Sequence, residues 1–505
     1  LEAGSLGHSL LMRSRRLLFA LGVVLLGLGC PEADDDDFVE SPPDDDDAVD
    51  DDDEADDEAD DDDAADDDDI SDAVEVGSLR FADGLPRNLI LVAIDTLRRD
   101  ALGTYNGSDA SPFLDGKLAE AVRLDTLHSC SNFTAPAFYC LFGGRNPLDV
   151  GFWPVPWTVE DNYIGDRSDF VWGSAVLGDA GFITAAAETN ALLELAYPDF
   201  GESFQHYAFD YGDSAWVTDT VLDFADGEVV PALSTDPNQP FFLVAHYFDP
   251  HPPYRAPAEY LTGVDELEPV DVDFTFSFFP PLAEEWPSLS PEERALVLEH
   301  LTLQYRSEVR YLDAQIERLW AGLEERSLLE DTLVVLWSDH GEQFFEHGGS
   351  YHGADLFHEE TAALGAFLAP GLESAVVTDP VVLMDLWPTI VAALGLSEQP
   401  DLSAHLEGAP GAVVGLADPG RDRFAWGGER GGAYETVIRR GDKTLHYQFD
   451  GEVFFADRTE DPQELVDRFD ATDPEVQSMW EALQPEIARI QTLFTDQAPV
   501  TPPGL

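Results

Sequence analysis

An α/β protein built around one central sheet, followed by a small antiparallel subdomain, is what this sequence predicts, and three observations carry the prediction. Two continuous apolar runs, LILVAI at residues 89–94 and LVVLW at 333–337, have the length and branched content of strands buried on both faces. Between them lie helix signals: an amphipathic stretch over 109–122, a Pro-started apolar run closed by Gly143 and Gly144, and a helical stretch over 290–329 that opens with SPEE. After residue 430, short alternating runs separated by Arg440-Gly441-Asp442 and Asp450-Gly451 read as an antiparallel meander, with 475–494 as the helix that packs on it.

At 505 residues the chain has room for one large catalytic domain and a smaller one. Its 102 acidic and 26 basic residues give a formal charge of −76, which argues against nucleic-acid binding and against anionic-membrane binding through a basic face. Residues 1–29 read as an export signal with translation starting at Met12: Arg13, Arg15 and Arg16, an apolar run over 17–28, then Gly29 and Cys30. That run is too short to cross a bilayer comfortably. The segment resembles a bacterial lipoprotein signal in which Cys30 is acylated and becomes the mature N-terminus. It departs from that pattern at Gly27, where an aliphatic residue is expected, and plain secretion is the other reading. Both place the mature protein outside the cytoplasmic membrane, and only a lipid anchor would hold it to one. Residues 30–80 follow as an Asp-rich disordered tether, because a carboxylate run repels itself and buries no core. Loose Ca²⁺ capture or adhesion to a cationic polymer is its functional alternative.

The strand over 333–337 ends abruptly in Ser338, Asp339, His340 and Gly341. The carboxyl edge of an open α/β sheet is where ligands bind, so a carboxylate beside an imidazole there reads as a metal or catalytic pair. An Asp–His hydrogen bond closing a turn is the plain alternative. His347 and His352, interspersed with Gly341, Gly348, Gly349 and Gly353, favour the first reading, since glycine lets backbone approach a ligand closely. The strand over 89–94 ends in Asp95, so two strand ends deliver two carboxylates; taken singly, Asp95 is equally a helix N-cap. Thr134 precedes Pro136 and sits at or next to a helix N-terminus, where free amides favour an anion and where a simple cap is the competing role. Cys130 and Cys140 either pair in an oxidising compartment or remain two buried thiols.

Six stretches then occur in one order: ILVAIDTLRRDALGTYN, SNFTAPAFYCLFGGRNP, FFLVAHYFDPHPPYRAP, YRSEVRYLDAQIERLWAGLEERSLLEDTLVVLWSDHGEQFFEHG, YHGADLFHEETAALGAFLAPG and DPVVLMDLWPTIVAALG. Together they resemble the sulfatase-like members of the alkaline phosphatase superfamily over most of residues 88–394. The resemblance implies an alkaline-phosphatase-like central mixed sheet with helices on both faces over 86–400, and a small C-terminal antiparallel subdomain over 401–505. It implies that Asp95, Asp339 and His340 bind a divalent metal and that Thr134 is the nucleophile, its oxygen on the same ion. It also implies that His251 and His352 face the transferred group and the leaving oxygen. Mixed oxygen and nitrogen ligation favours Zn²⁺ or Mn²⁺ over Ca²⁺ or Mg²⁺. His246, Asp249, His347 and His358 read as packing or hydrogen-bonding groups, and Glu342 as either a ligand or a solvated loop acid. Arg439 and Lys443 read as solvated strand ends in preference to substrate contacts.

The departures narrow the chemistry. Sulfatases of the best-known type carry C-x-P-x-R, whose Cys becomes formylglycine; the corresponding stretch here runs Thr134, Ala135, Pro136, Ala137, Phe138, and neither Cys130 nor Cys140 has the Pro and Arg after it. The "GKWH" stretch is missing: at AGFITAAAETN there is no Lys, and Asn190 is the polar group read in its place. Thr nucleophiles in the superfamily resemble those of phosphodiesterases and of phosphoglycerol or phosphoethanolamine transferases. The expectation is a metal-dependent extracytoplasmic hydrolase of phosphate diesters or monoesters that works through a covalent Thr134 intermediate, on an anionic ester borne by a glycan or lipid. Direct sulfate-ester hydrolysis, transfer of the phospho group, and a non-catalytic surface binding module are the alternatives.

Overall fold

The computed structural model describes residues 73–150, 170–196, 198–270, 285–399, 411–430, 433–493 and 499–502, with Val272, Phe274, Leu282 and Gly504. The export signal, Cys30, the aspartate run and the boundary near 400–410 lie outside these residues. The chain enters the fold earlier than expected. β1 (Val74–Val76) and β2 (Leu79–Phe81) form an antiparallel hairpin inside what reads as tether. Leu79 and Phe81 are fully buried, and Gly77 turns the hairpin at a φ of +57° where a Cβ would collide with the carbonyl oxygen of Val414.

The central sheet follows from strands apolar on both faces. It takes β3 (Asn88–Ile94), β4 (Val122–Leu124), β6 (Ile183–Glu188), β7 (His206–Phe209), β8 (Phe241–Tyr247), β9 (Thr332–Ser338), β12 (Gly365–Leu368) and β13 (Ala375–Val377). Their spatial order is β13-β4-β12-β9-β3-β8-β6-β7. β9, β3, β8, β6 and β7 run parallel, while β12 runs antiparallel to β9 and β4 on either side of it. Leu89, Leu91 and Ala93 pack into one core with Leu333, Val335 and Trp337; Ile90, Val92 and Ile94 pack into the other with Val334 and Leu336. Burial on both faces thus follows from the period-two geometry of a continuous apolar run. β5 (Leu127–His128) pairs with β14 (Val381–Val382), and β10 (Gln343–Phe344) with β11 (Ser350–Tyr351).

Helices cover both faces. α1 (Pro112–Glu120) is shorter than the 109–122 stretch predicted for it, because Val122 is drawn into β4. α2 (Thr134–Gly143) is buried along its whole length and ends at Gly144 in the left-handed region. α3 (Ser214–Phe224) packs against α4 (Pro291–Glu325), the long helix, which opens in a capping box between Ser290 and Glu293. α5 (Leu386–Ala393) lies beside α2. Cys130 and Cys140 form a disulfide, so the segment entering α2 is tied to the helix interior.

Beyond residue 411 the meander is β15 (Arg423–Arg430), β16 (Ala433–Arg440), β17 (Lys443–Gln448) and β18 (Val453–Asp457), antiparallel throughout, with α6 (Pro474–Leu493) against it. Ile438, Leu445 and Tyr447 join the same core cluster as Leu89, so this sheet is continuous with the larger domain.

Candidate active site

Two parallel neighbours, β3 and β9, end level with each other, Ile94 opposite Ser338, and the next residue of each is an aspartate. That register brings Asp95 and Asp339 together at one sheet edge. Thr96, at a φ of +53°, aims its N–H at Asp339 Oδ1 (3.1 Å), and the His340 N–H reaches the same oxygen at 2.7 Å. His340 Nδ1 donates to the Gly341 carbonyl at 2.9 Å, which leaves Nε2 with its lone pair free and directed inward. Nε2 lies 3.4 Å from Asp339 Oδ2 and 3.9 Å from Asp95 Oδ1. One ligand atom from each of the three residues falls within 4.8 Å of the others, all three being buried.

Thr134 enters this cluster from α2. Its side chain caps nothing, so the plain capping role is excluded; Oγ1 lies 3.4 Å from His340 Nε2, 3.5 Å from Asp95 Oδ2 and 3.3 Å from Asn190 Nδ2. Asn190 also donates to Asp95 Oδ2 at 2.6 Å. Asp95 Oδ1 and Asp339 Oδ2 are buried without a partner. Burial first and the neighbouring Asp339 next push the Asp95 carboxyl well above its ordinary range. Two carboxylates in a dry site with orphaned oxygens and an aimed imidazole fit a divalent cation, the charge that would reverse that shift.

Two further histidines flank the cluster. The His352 ring centre is 4.5 Å from that of His340, and its Nδ1 sits 3.4 Å from Glu342 Oε1. His251 holds the Pro252 carbonyl through Nδ1 and accepts from Tyr351 Oη at 3.0 Å on Nε2, with its ring 5.1 Å from His352. Burial, with His340 adding to it, keeps both imidazoles neutral, His251 down to about 3 and His352 well below the usual range. Glu342 is 1% exposed, which removes its reading as a solvated acid.

Two groups, Glu188 and Tyr351, were not singled out from the sequence. Glu188, the last residue of β6, bonds both His246 Nδ1 and the Asn190 N–H, so it fixes the amide that reaches Asp95. His246 Nε2 in turn lies 4.0 Å from Asp95 Oδ2. Tyr351, at a φ of +82°, orients His251. Glu188 ends an apolar strand as Asp95 and Asp339 do, so the same strand-end rule would have found it. Asp249 accepts from the Ser214 N–H and hydroxyl, and His347 lies 3.1 Å from Glu359. Arg439 is not a solvated strand end: it is 2% exposed and donates to the Leu356 carbonyl, whereas Lys443 pairs with Glu475 at 3.4 Å.

A family model described as Sulfatase matches residues 87–396. The chain is 24% identical to "Uncharacterized sulfatase YidJ" of Escherichia coli K12 over 62% of this chain and 69% of that protein. Alignments with the next curated relatives take in about half of their length or less. Among solved structures, BT4656 in complex with its substrate D-glucosamine-2-N,6-O-disulfate superposes with a TM-score of 0.61 at 17% identity, over 82% of this chain and 99% of that one. The phosphonate monoester hydrolase of Silicibacter pomeroyi does so with a TM-score of 0.55 at 19% identity, over 80% and 95%. At such identities these structures share the fold.

Proposed function

The chain belongs to the sulfatase family and is an ester hydrolase of the alkaline phosphatase superfamily, and from that premise we propose that it hydrolyses phosphate di- or monoesters with Thr134 as nucleophile. The family depends on a divalent metal, and Asp95, Asp339 and His340, with the Thr134 oxygen, are the residues that would hold it here. Zn²⁺ or Mn²⁺ suits their mixed oxygen and nitrogen donors. A cation bound there supplies charge neutralisation at the transferred group and at the nucleophile. One observation supports the reading: Thr134 Oγ1 lies 3.4 Å from His340 Nε2 and 3.5 Å from Asp95 Oδ2, while Cys130 and Cys140 are paired in a disulfide and offer no thiol for conversion to formylglycine.

Thr134 Oγ1 attacks phosphorus as its proton passes to water, forming an Oγ1–P bond as the bond to the leaving oxygen breaks. The N-terminal amides of α2 and the Asn190 amide face the phosphoryl oxygens. His352, steadied by Glu342, and His251, steadied by Pro252 and Tyr351, flank the leaving oxygen; an anionic ester beside them offsets the burial that keeps them neutral, so that either takes up a proton and passes it on. Water then attacks phosphorus, the Oγ1–P bond breaks, and Thr134 regains its proton.

Sulfate-ester hydrolysis by the same hydroxyl is the second reading, favoured by the sulfatase relatives and by the sulfated glucosamine that BT4656 binds. The ester would then sit on a glycan. The test is a parallel panel of bis-nitrophenyl phosphate, nitrophenyl phosphate and nitrophenyl sulfate, with Zn²⁺ or Mn²⁺ added. Dominant phosphate-ester turnover is expected; dominant sulfate turnover replaces the first reading with the second. Binding of metal without turnover of any ester returns the chain to a surface binding module. We also propose an extracytoplasmic protein held through acylated Cys30, for which Cys30→Ser releases it from membranes; membrane association unchanged in that variant removes the anchor. Among the described residues no helix is long and apolar enough to cross a membrane.

A further inference from the structure

Away from Thr134 the molecule gathers a second charged cluster, of the opposite sign. A cavity of about 190 Å³ opens between Arg99, Asp100, Tyr105, His358, Glu359 and Ala362. The 359–360 segment stands between it and the nucleophile's surroundings: Glu360 bonds Asn132 and Gln343, whereas Glu359 lines the cavity. Both acids in the lining are committed. Arg98 grips Asp100 through two bonds of 2.9 and 2.8 Å, and Glu359 Oε1 lies 3.1 Å from His347 Nε2.

The cations are bonded to carbonyls and a ring nitrogen instead of to acids. Arg99 reaches only the Leu127 carbonyl, at 3.5 Å, and lies over the Tyr105 ring. Behind His358, whose ring is 5.4 Å from that of His128, stand Arg423 and Arg439, paired across β15 and β16. Arg423 donates to the Thr126 and Gly441 carbonyls and to His128 Nδ1, Arg439 to the Leu356 carbonyl, and Arg458 to the Pro462 carbonyl. Among the described residues none of these four arginines has a carboxylate within 4.0 Å, in a chain with 102 acids and 26 basic residues. Arg423, Arg439 and His128 are 5%, 2% and 4% exposed, yet the Nε atoms of both arginines, His128 Nε2 and His358 Nδ1 are buried without a hydrogen-bond partner. Burial, and then repulsion from Arg439 and Arg458, brings Arg423 down to about 9; burial brings Arg439 down to about 10, against the pull of the buried Glu464 carboxylate, and both are still charged at neutral pH.

Four arginines beyond ion-pairing distance of every described acid, with the buried Glu464 carboxylate acting on Arg439 and Arg458 only from farther off, are short of counter-charge. Guanidinium forks suit oxyanions, and the cavity lies below the roughly 300–1,000 Å³ of drug-sized pockets, so the missing charge is small. We propose that this cavity is a second anion site that takes a tetrahedral oxyanion, sulfate or phosphate, either as the free ion or as a further ester group on a polyanionic substrate.

The test is calorimetric titration of the full chain, carrying Thr134→Ala to stop turnover, with inorganic sulfate, inorganic phosphate and glucosamine 6-sulfate at constant ionic strength. A binding event is expected that weakens about tenfold or more when Arg99→Gln is added. Arg458→Gln, a substitution on the opposite side of the cluster and half-buried, weakens the same event and guards against a folding defect in the first variant. With Thr134 intact, both arginine variants keep nitrophenyl-ester turnover within about twofold, which separates this site from the ester assignment. Tighter binding of the sugar ester than of the free ions identifies a substrate group as the occupant; equal or weaker binding identifies the inorganic ion. Titrations unchanged by both arginine variants overturn the proposal.

Discussion

The two charged clusters are built by opposite means. The carboxylates of Asp95 and Asp339 meet because two parallel strands, β3 and β9, each buried along its whole length, stop in register. The arginines meet because the segment after β3, two strands of the C-terminal sheet and the residue after a third converge across hundreds of residues. Each leaves polar atoms unpartnered in the dry interior. Such atoms cost on the order of 1–3 kcal/mol apiece when nothing meets them, which supports both proposals, a cation for one cluster and an anion for the other. The contrast also separates chemistry from binding: a hydroxyl at a helix start belongs to the first cluster alone.

Removing that hydroxyl is the largest test of the contrast. Thr134→Ala is expected to lower ester turnover by about 10³-fold or more while metal content stays at the parent level, since the three remaining ligands persist; kcat and metal analysis on one preparation check both halves. Loss of metal together with turnover would make the Thr134 oxygen indispensable for holding the ion as well as for attack.

Smaller effects sharpen the picture by touching supports instead of charges. The Cys130–Cys140 disulfide closes a loop of 10 residues at the foot of α2, and the double serine variant is expected to lose about 2–3 kcal/mol in denaturant unfolding. The arginine cluster, which has no covalent tie, should keep its anion affinity in that variant within about twofold.

A partnered buried acid behaves differently from the orphaned ones. Asp313 accepts the Phe113 and Leu114 N–H groups at the start of α1, at 3.0 and 2.8 Å. Burial raises its carboxyl to about 6, against those two bonds. Its folded value lies above the unfolded one, so the folded state holds the extra proton between about pH 4 and 6 and this group's contribution to stability falls as pH rises through that window. Relative to the parent, Asp313→Asn should therefore gain up to about 2–3 kcal/mol between pH 4 and 7 in urea unfolding. A pH-independent difference would contradict the assigned burial effect. Smallest of all, Ser290→Ala removes the α4 cap at a cost of about 1 kcal/mol and should leave turnover, metal and anion binding unchanged.

Much of the first cluster is legible in the sequence because its rule is local: a buried strand, then an acid. Where apolar runs and a helix start or stop points to Asp95, Asp339, His340 and Thr134, but their joint role as ligands and nucleophile is implied by the family resemblance. Glu188 obeys the same rule, but its partners His246 and Asn190 give it a role that a single strand end does not display. Tyr351 meets His251 across 100 residues and shows no pattern along the chain. The β1–β2 hairpin escaped because VEV and LRF, although alternating, adjoin the aspartate run and take on its character. The arginine cluster is wholly tertiary: Arg439 reads as a solvated strand end until the Leu356 carbonyl is found against it.

The measurement that tests the central claim most directly is metal per chain after gel filtration, in the parent and in Asp339→Asn. The account predicts bound divalent metal in the parent and less than about a tenth of that in the variant, with far-ultraviolet dichroism unchanged, because Asp339 follows the strand and contributes a ligand instead of packing. Metal retained at the parent level by a folded Asp339→Asn would contradict it.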